Sequence, residues 1–170
     1  MQSVLHIRTT GPGLYEFMDD VIRFVHESRV QEGLLTLFVQ HTSCSLCVQE
    51  NADPDVRRDL EEFFRRLVPS SDSPSMRWIA HTVEGPDDMP AHIKAALTAV
   101  SLSIPVTARR PALGQWQGIY LFEHRSGAHS RRVAATDEPP LPAITAGLLD
   151  SKKCSSPDFK AVLGAAGGWV

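Results

Sequence analysis

Two imidazoles and three carboxylates fall within the stretch HTVEGPDDMPAH, as His81, Glu84, Asp87, Asp88 and His92. Neutral imidazole and carboxylate are the ligand types of zinc, manganese and magnesium, so this composition suits a divalent metal. The spacing differs from H-E-x-x-H, in which two histidines one helical turn apart share a face. A second reading fits the same residues. Asp87 or Asp88 caps a helix that has Pro90 in its first turn, and His92 then lies on the helix surface.

A second cluster is HTSCSLC, His41 to Cys47. It follows an apolar run of strand length, and in extended chain residues 41, 43 and 45 share one face, which could meet an oxyanion or a metal. The same geometry sends Cys44 and Cys47 to opposite faces, so they cannot share a zinc ion or a disulfide there. No second cysteine pair completes a structural zinc site, and no G-x-S-x-G elbow supports a serine hydrolase. The cysteines read as buried, inert thiols. A third cluster, LGQWQGIYLFEHRSGAHSRR, places Gln117 and Glu123 on one strand face with aliphatics between them; polar groups on such a face must be paired or line a site.

The elements that position these residues follow from periodicity. VLHIRT alternates as a half-buried strand. From Leu14, apolar residues at spacings of three and four predict a helix that Gly33 ends. LLTLFVQ reads as a strand, and Asp53-Pro54 as a helix start whose buried stripe is Val56, Leu60, Phe63, Phe64 and Leu67. MRWIAHT reads as a strand before a helix with Ile93, Leu97 and Val100 inside. LSIPVTA is a strand whose Pro105 favours an edge or a bulge. WQGIYLFEH and SRRVAAT flank RSGA as a hairpin. Beyond Thr136, prolines, glycines and polar residues without periodicity read as a tail. The expectation is therefore an α+β domain over residues 1–136, sandwich-like, with largely antiparallel sheets and about three packed helices, followed by a 137–170 extension.

Bulk properties narrow the classes. The 170 residues suit one domain, and 42% hydrophobic with 22% charged residues is globular composition. A net charge of −3 gives no reason to bind nucleic acid, although Arg109-Arg110 and Arg131-Arg132 could meet a phosphate locally. No apolar run approaches the roughly 20 residues that span a bilayer, so no membrane partner is expected. The N-terminal stretch lacks a basic region followed by an apolar one, and three cysteines make no disulfide framework. A cytoplasmic location is the expectation.

Taken together and in order, HTSCSLCVQENADPDVRRDL, HTVEGPDDMPAHIKAAL and LGQWQGIYLFEHRSGAHSRRV resemble the YjbQ family, often described as secondary thiamine-phosphate synthases. The resemblance covers roughly Leu5 to Thr136. It implies a sandwich-like domain with helices packed on it, a homotrimer, and a site in which His41, His81 and His92 are metal ligands. His41, Ser43, Asp88, His92 and Glu123 would be catalytic, and Glu50, Asn51, Gly114, Trp116, Gln117 and Arg131 would bind a phosphorylated small-molecule substrate. Cys44 and Cys47 depart from the family pattern, as does Gln115 in place of a threonine.

The implied reaction joins hydroxymethylpyrimidine diphosphate to hydroxyethylthiazole phosphate with loss of pyrophosphate. Charge develops on that leaving group, so Mg²⁺ on Asp88 and Glu50 and cations such as Arg109, Arg131 or Arg132 would be required. Two alternatives stand beside it. One is a hydrolase with a transition metal, Zn²⁺ by preference, on His41, His81 and His92. The other is a non-catalytic trimeric module that binds a small ligand or ion.

Overall fold

The structure, a computed structural model, describes residues 1–139. In chain order β1 (Gln2–Thr9), β2 (Gly13–Glu16), α1 (Met18–Ser28), β3 (Glu32–Val39) and β4 (Cys44–Glu50) lead to α2 (Pro54–Leu67) and α3 (Asp88–Leu97). Then follow β5 (Ser101–Thr107), β6 (Arg110–Pro111), β7 (Gln117–Glu123) and β8 (His129–Glu138). One sheet has the order β1-β8-β3-β5-β6 and the other β2-β7-β4, with every pairing antiparallel. The expected α+β class with antiparallel sheets and three helices is the one observed.

The sheets and α1 share one core. Leu35, Leu37 and Val39 of β3 meet Leu46 of β4, Ile119 and Leu121 of β7, and Val21 and Val25 of α1. Residues of period two on β3 explain this: Leu34 and Phe38 of the same apolar run turn outward and are exposed. A smaller apolar cluster, Leu14, Tyr120 and Phe122, carries Leu60 and Phe64 of α2.

Several local expectations are corrected. Leu14 belongs to a strand, because it pairs with Phe122 in β2, and the helix begins only at Met18. That helix ends at Arg29, which takes the left-handed conformation at φ 63°; Gly33 instead lies in β3, where a Cβ would collide with the Glu138 carbonyl oxygen. Only glycine admits so close a strand neighbour. MRWIAHT is not a strand. Pro74 opens a short 3-10 turn, and the Ile79 N–H closes onto the Met76 carbonyl at 3.0 Å, so local turns use the donors a sheet would need.

The stretch RSGA does not close a hairpin, since β7 and β8 lie in different sheets. The Glu123 carboxylate accepts the N–H groups of His124 and Arg125 at 3.1 and 3.0 Å, which turns the chain out of its sheet. On α2, Asp53 accepts the Asp55 N–H at 2.8 Å and Pro54 fills the first turn as expected. Its predicted stripe is not buried: Phe63 and Leu67 are exposed. On α3 the inner face is Ala91 and Ala95 rather than Leu97 and Val100, both exposed; the small side chains suit its packing on β4. Pro105 fits its predicted place, because β6 covers only Val106 and Thr107 and leaves the rest of β5 an edge.

The strand β8 continues through Glu138, beyond Thr136, and buried Asp137 meets the Met1 ammonium at 3.0 Å. The remainder of the 137–170 extension lies outside the described residues.

Candidate functional site

At the start of α3, Asp88 is buried and His92 follows one helical turn later on the same face. His81 arrives from the irregular segment before the helix. One ligand atom from each of His81, Asp88 and His92 lies within 4.8 Å of the others. The Asp88 Oδ2 is 2.8 Å from His81 Nε2 and 3.4 Å from His92 Nε2. Among the described residues no other group of histidines, cysteines and carboxylates gathers in this way.

The hydrogen bonds around the cluster decide its chemistry. His92 Nδ1 is 3.0 Å from the Thr42 carbonyl oxygen. A carbonyl only accepts, so Nδ1 carries the proton and donates it. That leaves Nε2 as the nitrogen turned toward the carboxylate oxygen, in the position of a second ligand beside His81 Nε2. The other Asp88 oxygen is held by Arg125 Nη1. Arg125 in turn donates to Asp87 Oδ2 at 3.0 Å and to the Glu84 carbonyl at 2.9 Å, and the Ser126 N–H also reaches Asp87 at 2.8 Å. Asp87 therefore orients the clamp and does not cap the helix. Burial pushes the Asp87 pKa up, but the bonds from Ser126 and Arg125 outweigh it and the net shift is downward.

His41 stands apart from this trio. Its Nε2 accepts the Arg132 N–H at 2.9 Å, so that nitrogen is not free to bind a metal, and the set brought together contains Asp88 in place of His41. Burial lowers the His41 pKa, with Arg131 and Arg132 adding to the effect. Ser43 is buried beside it in sequence, while Ser45 Oγ lies 3.0 Å from His124 Nε2. Burial pushes His124 down to about 3, and it stays neutral at ordinary pH.

Glu123 is fully buried and already saturated. It accepts Thr9 Oγ1 at 2.8 Å, Arg131 Nε at 2.6 Å and the two backbone N–H groups that turn the chain. Burial raises its pKa, but these bonds more than offset it and the net shift is downward. The carboxylate has no lone pair left for acid–base work on a substrate. Arg131 is equally committed, so it is not placed to grip a phosphate.

Glu50, Trp116 and Gln117 line a hollow of about 400 Å³ at the far end of β4. Asn51 donates its N–H to the Trp116 carbonyl at 3.1 Å, and Gln117 Oε1 accepts the Gly114 N–H at 2.8 Å. Six residue steps along β4 separate this end from the His41 end, about 20 Å at strand rise. One chain therefore does not bring Glu50 to Asp88. Burial raises Cys44 to about 12 and Cys47 to about 11, so both are unreactive thiols on one strand.

Sequence reasoning overlooked Arg125, Thr42 and the Ser45–His124 pair. Arg125 sits in the third block beside Glu123, but nothing local shows that it reaches Asp88. The Thr42 contribution is a backbone oxygen, which no side-chain pattern reveals.

The family described as "UPF0047 protein YjbQ-like" matches residues 3–137. The chain belongs to that family. This YjbQ-like chain is 49% identical over 132 residues to UPF0047 protein sll1880 of Synechocystis, covering 78% of this chain and 87% of the relative. It is 43% identical over 136 residues to UPF0047 protein YjbQ of Escherichia coli O157:H7, covering 79% and 95%. A crystal structure from Clostridium acetobutylicum, described as an uncharacterized conserved protein of the YjbQ/UPF0047 family, superposes with a TM-score of 0.70 at 31% identity, covering 80% of this chain and 99% of its own. A conserved hypothetical protein of Thermus thermophilus gives a TM-score of 0.70 at 33% identity with the same coverage.

These relatives correct the expected activity. They are named only as UPF0047 proteins or described as uncharacterized, so kinship with them supplies no thiamine-phosphate synthase. The commitment of Arg131 to Glu123 and the separation of Glu50 from Asp88 remove two of the groups on which that reaction was to rest. Among the described residues no helix is long and apolar enough to cross a membrane.

Proposed function

We propose that the YjbQ-like chain is a divalent transition-metal protein whose ligands are His81 Nε2, His92 Nε2 and a carboxylate oxygen of Asp88. The observation that carries this reading is the His92 ring: Nδ1 is spent on Thr42, and Nε2 faces Asp88 Oδ2 at 3.4 Å. Two imidazoles with one carboxylate suit zinc or another late first-row ion better than magnesium, which prefers oxygen ligands alone. Arg125 on the second Asp88 oxygen fixes the ligand carboxylate from outside, the usual work of groups behind a metal. The His81 side chain is 44% exposed, so the cluster is open to exchangeable ligands.

Metal analysis and calorimetry on purified protein test this. One zinc per chain is expected, bound more weakly by at least 100-fold after Asp88→Ala or His92→Ala and unchanged after His41→Ala. No stoichiometric metal, or zinc lost with His41→Ala alone, overturns it.

We also propose the homotrimer implied by the family resemblance. Phe63, Leu67, Trp78, Val83 and Trp116 are exposed, and large apolar side chains of this number favour burial against other copies. Light scattering on the eluting protein should give three times the 18.7 kDa chain mass; a monomer contradicts it.

A further inference from the structure

A second cavity, of about 430 Å³, lies between α2, α3 and the end of β7. Asp87 lines it, but Asp88, His81 and His92 do not. We propose that this cleft binds a small organic monoanion, a carboxylate carried on an aromatic or similarly flat apolar body.

Its walls supply the apolar part. Phe64 and Val68 of the α2 side, Pro90 of α3 and Phe122 of β7 face the space. A volume of this size falls in the range of roughly 300–1,000 Å³ typical of small-molecule sites.

Charge accounting supplies the other part. Arg58 and Arg65 line the cleft, but each already holds a carboxylate on its own helix, Asp55 and Glu62. Lys94 is the lining cation that forms no salt bridge and no side-chain hydrogen bond among the described residues, although it is half-buried. An ammonium withdrawn from water without a counter-charge is unfavourable, and an anion in the cleft relieves that. The lining acids do not compete for it. Glu62 is held by Arg65 and Arg66, Asp87 by Arg125, and Glu123 by Arg131.

Glu61 is the exception. It takes the Leu14 N–H at 3.4 Å and carries no ion pair, so the cleft tolerates one negative charge at Lys94 better than two. His124 adds a neutral polar wall: Nε2 meets Ser45, and buried Nδ1 has no hydrogen-bond partner.

Benzoate is a suitable probe, with benzamide as its uncharged counterpart and inorganic phosphate as a charge without the apolar body. Titrations followed by ¹H–¹⁵N NMR on the full chain, with and without zinc, should show saturable benzoate shifts at Lys94, Phe122 and His124, the same in both states. Benzamide and phosphate should each bind at least tenfold more weakly. Lys94→Met should weaken benzoate at least tenfold while Lys94→Arg retains it, and the wild-type comparison of benzoate with benzamide stands even where a variant fails to fold. Absence of saturable benzoate binding, equal binding of benzamide, or full binding by folded Lys94→Met overturns the proposal. So do shifts confined to His81 and His92, which would seat the probe on the metal cluster.

Discussion

Asp88 and Glu123 are both carboxylates removed from solvent, and both hold an arginine, yet they do different work. Every oxygen of Glu123 is met by donors: Thr9, Arg131 and two backbone N–H groups. Asp88 is met on one oxygen by Arg125, while the other faces two imidazole nitrogens, His81 Nε2 at 2.8 Å and His92 Nε2 at 3.4 Å. The first arrangement is complete as built and holds the sheets at the chain's turn. The second leaves three ligand atoms gathered within 4.8 Å, the arrangement on which the proposed metal site rests. Burial of an acid is thus no guide to function until its donors are counted.

The largest effect should come from breaking the complete centre. Glu123→Gln leaves the Arg131 guanidinium buried without its counter-ion, and loss of one member of a buried pair costs about 3–5 kcal/mol. Urea unfolding should show that loss, while zinc affinity of the folded fraction stays unchanged. A variant that keeps full stability but loses zinc would reverse the roles assigned to the two centres.

Acid sensitivity should trace to His124. Its folded pKa of about 3 lies below the ordinary 6.5, so the unfolded chain takes up the proton first. The contribution is fully present above pH 6.5 and falls away as pH drops from 6.5 toward 3, by a few kcal/mol at about 1.4 kcal/mol per unit. Glu123, whose pKa is also lowered, works in the same direction: its contribution is present above the ordinary carboxylate range and fades as pH falls through its folded pKa. His124→Gln should flatten the pH–stability curve in that window; an unchanged curve contradicts the assignment.

A milder change tests the open centre. Arg125→Met leaves the three ligands in place and removes only their support, so zinc affinity should fall about 10- to 100-fold without loss of stoichiometry. Unaltered affinity would show that the clamp does not orient Asp88. The smallest effect belongs to the thiols. With pKa values of about 12 and 11, Cys44 and Cys47 should react slowly with a thiol reagent in the folded protein, and Cys47→Ala should leave zinc binding intact.

Much of the fold was readable because it follows from periods and caps. The alternation of β1, the Asp53-Pro54 start of α2 and the exposed edge at Pro105 rest on local rules, and each is where those rules put it. The errors share one cause. The RSGA turn looks like a hairpin until Glu123 draws in the backbone after it, and α2 looks amphipathic although Phe63 and Leu67 of its apolar stripe are exposed.

The site divides the same way. His81, Asp88 and His92 were conspicuous together because they lie within one short block. Their meaning depends on Thr42, fifty positions from His92, and on Arg125, thirty-seven from Asp88. Contacts at that range leave no trace in spacing. The family resemblance groups His41 with the other two histidines, whereas a backbone N–H of β8 occupies its Nε2 and the atoms gathered in space are those of His81, Asp88 and His92.

The most direct test is anomalous diffraction at the zinc edge from crystals grown with zinc. The account predicts a single strong peak within bonding distance of His81 Nε2, His92 Nε2 and an Asp88 oxygen, absent from Asp88→Ala crystals. A peak bound by His41, or no peak at this cluster in the zinc-grown wild-type crystal, would contradict it.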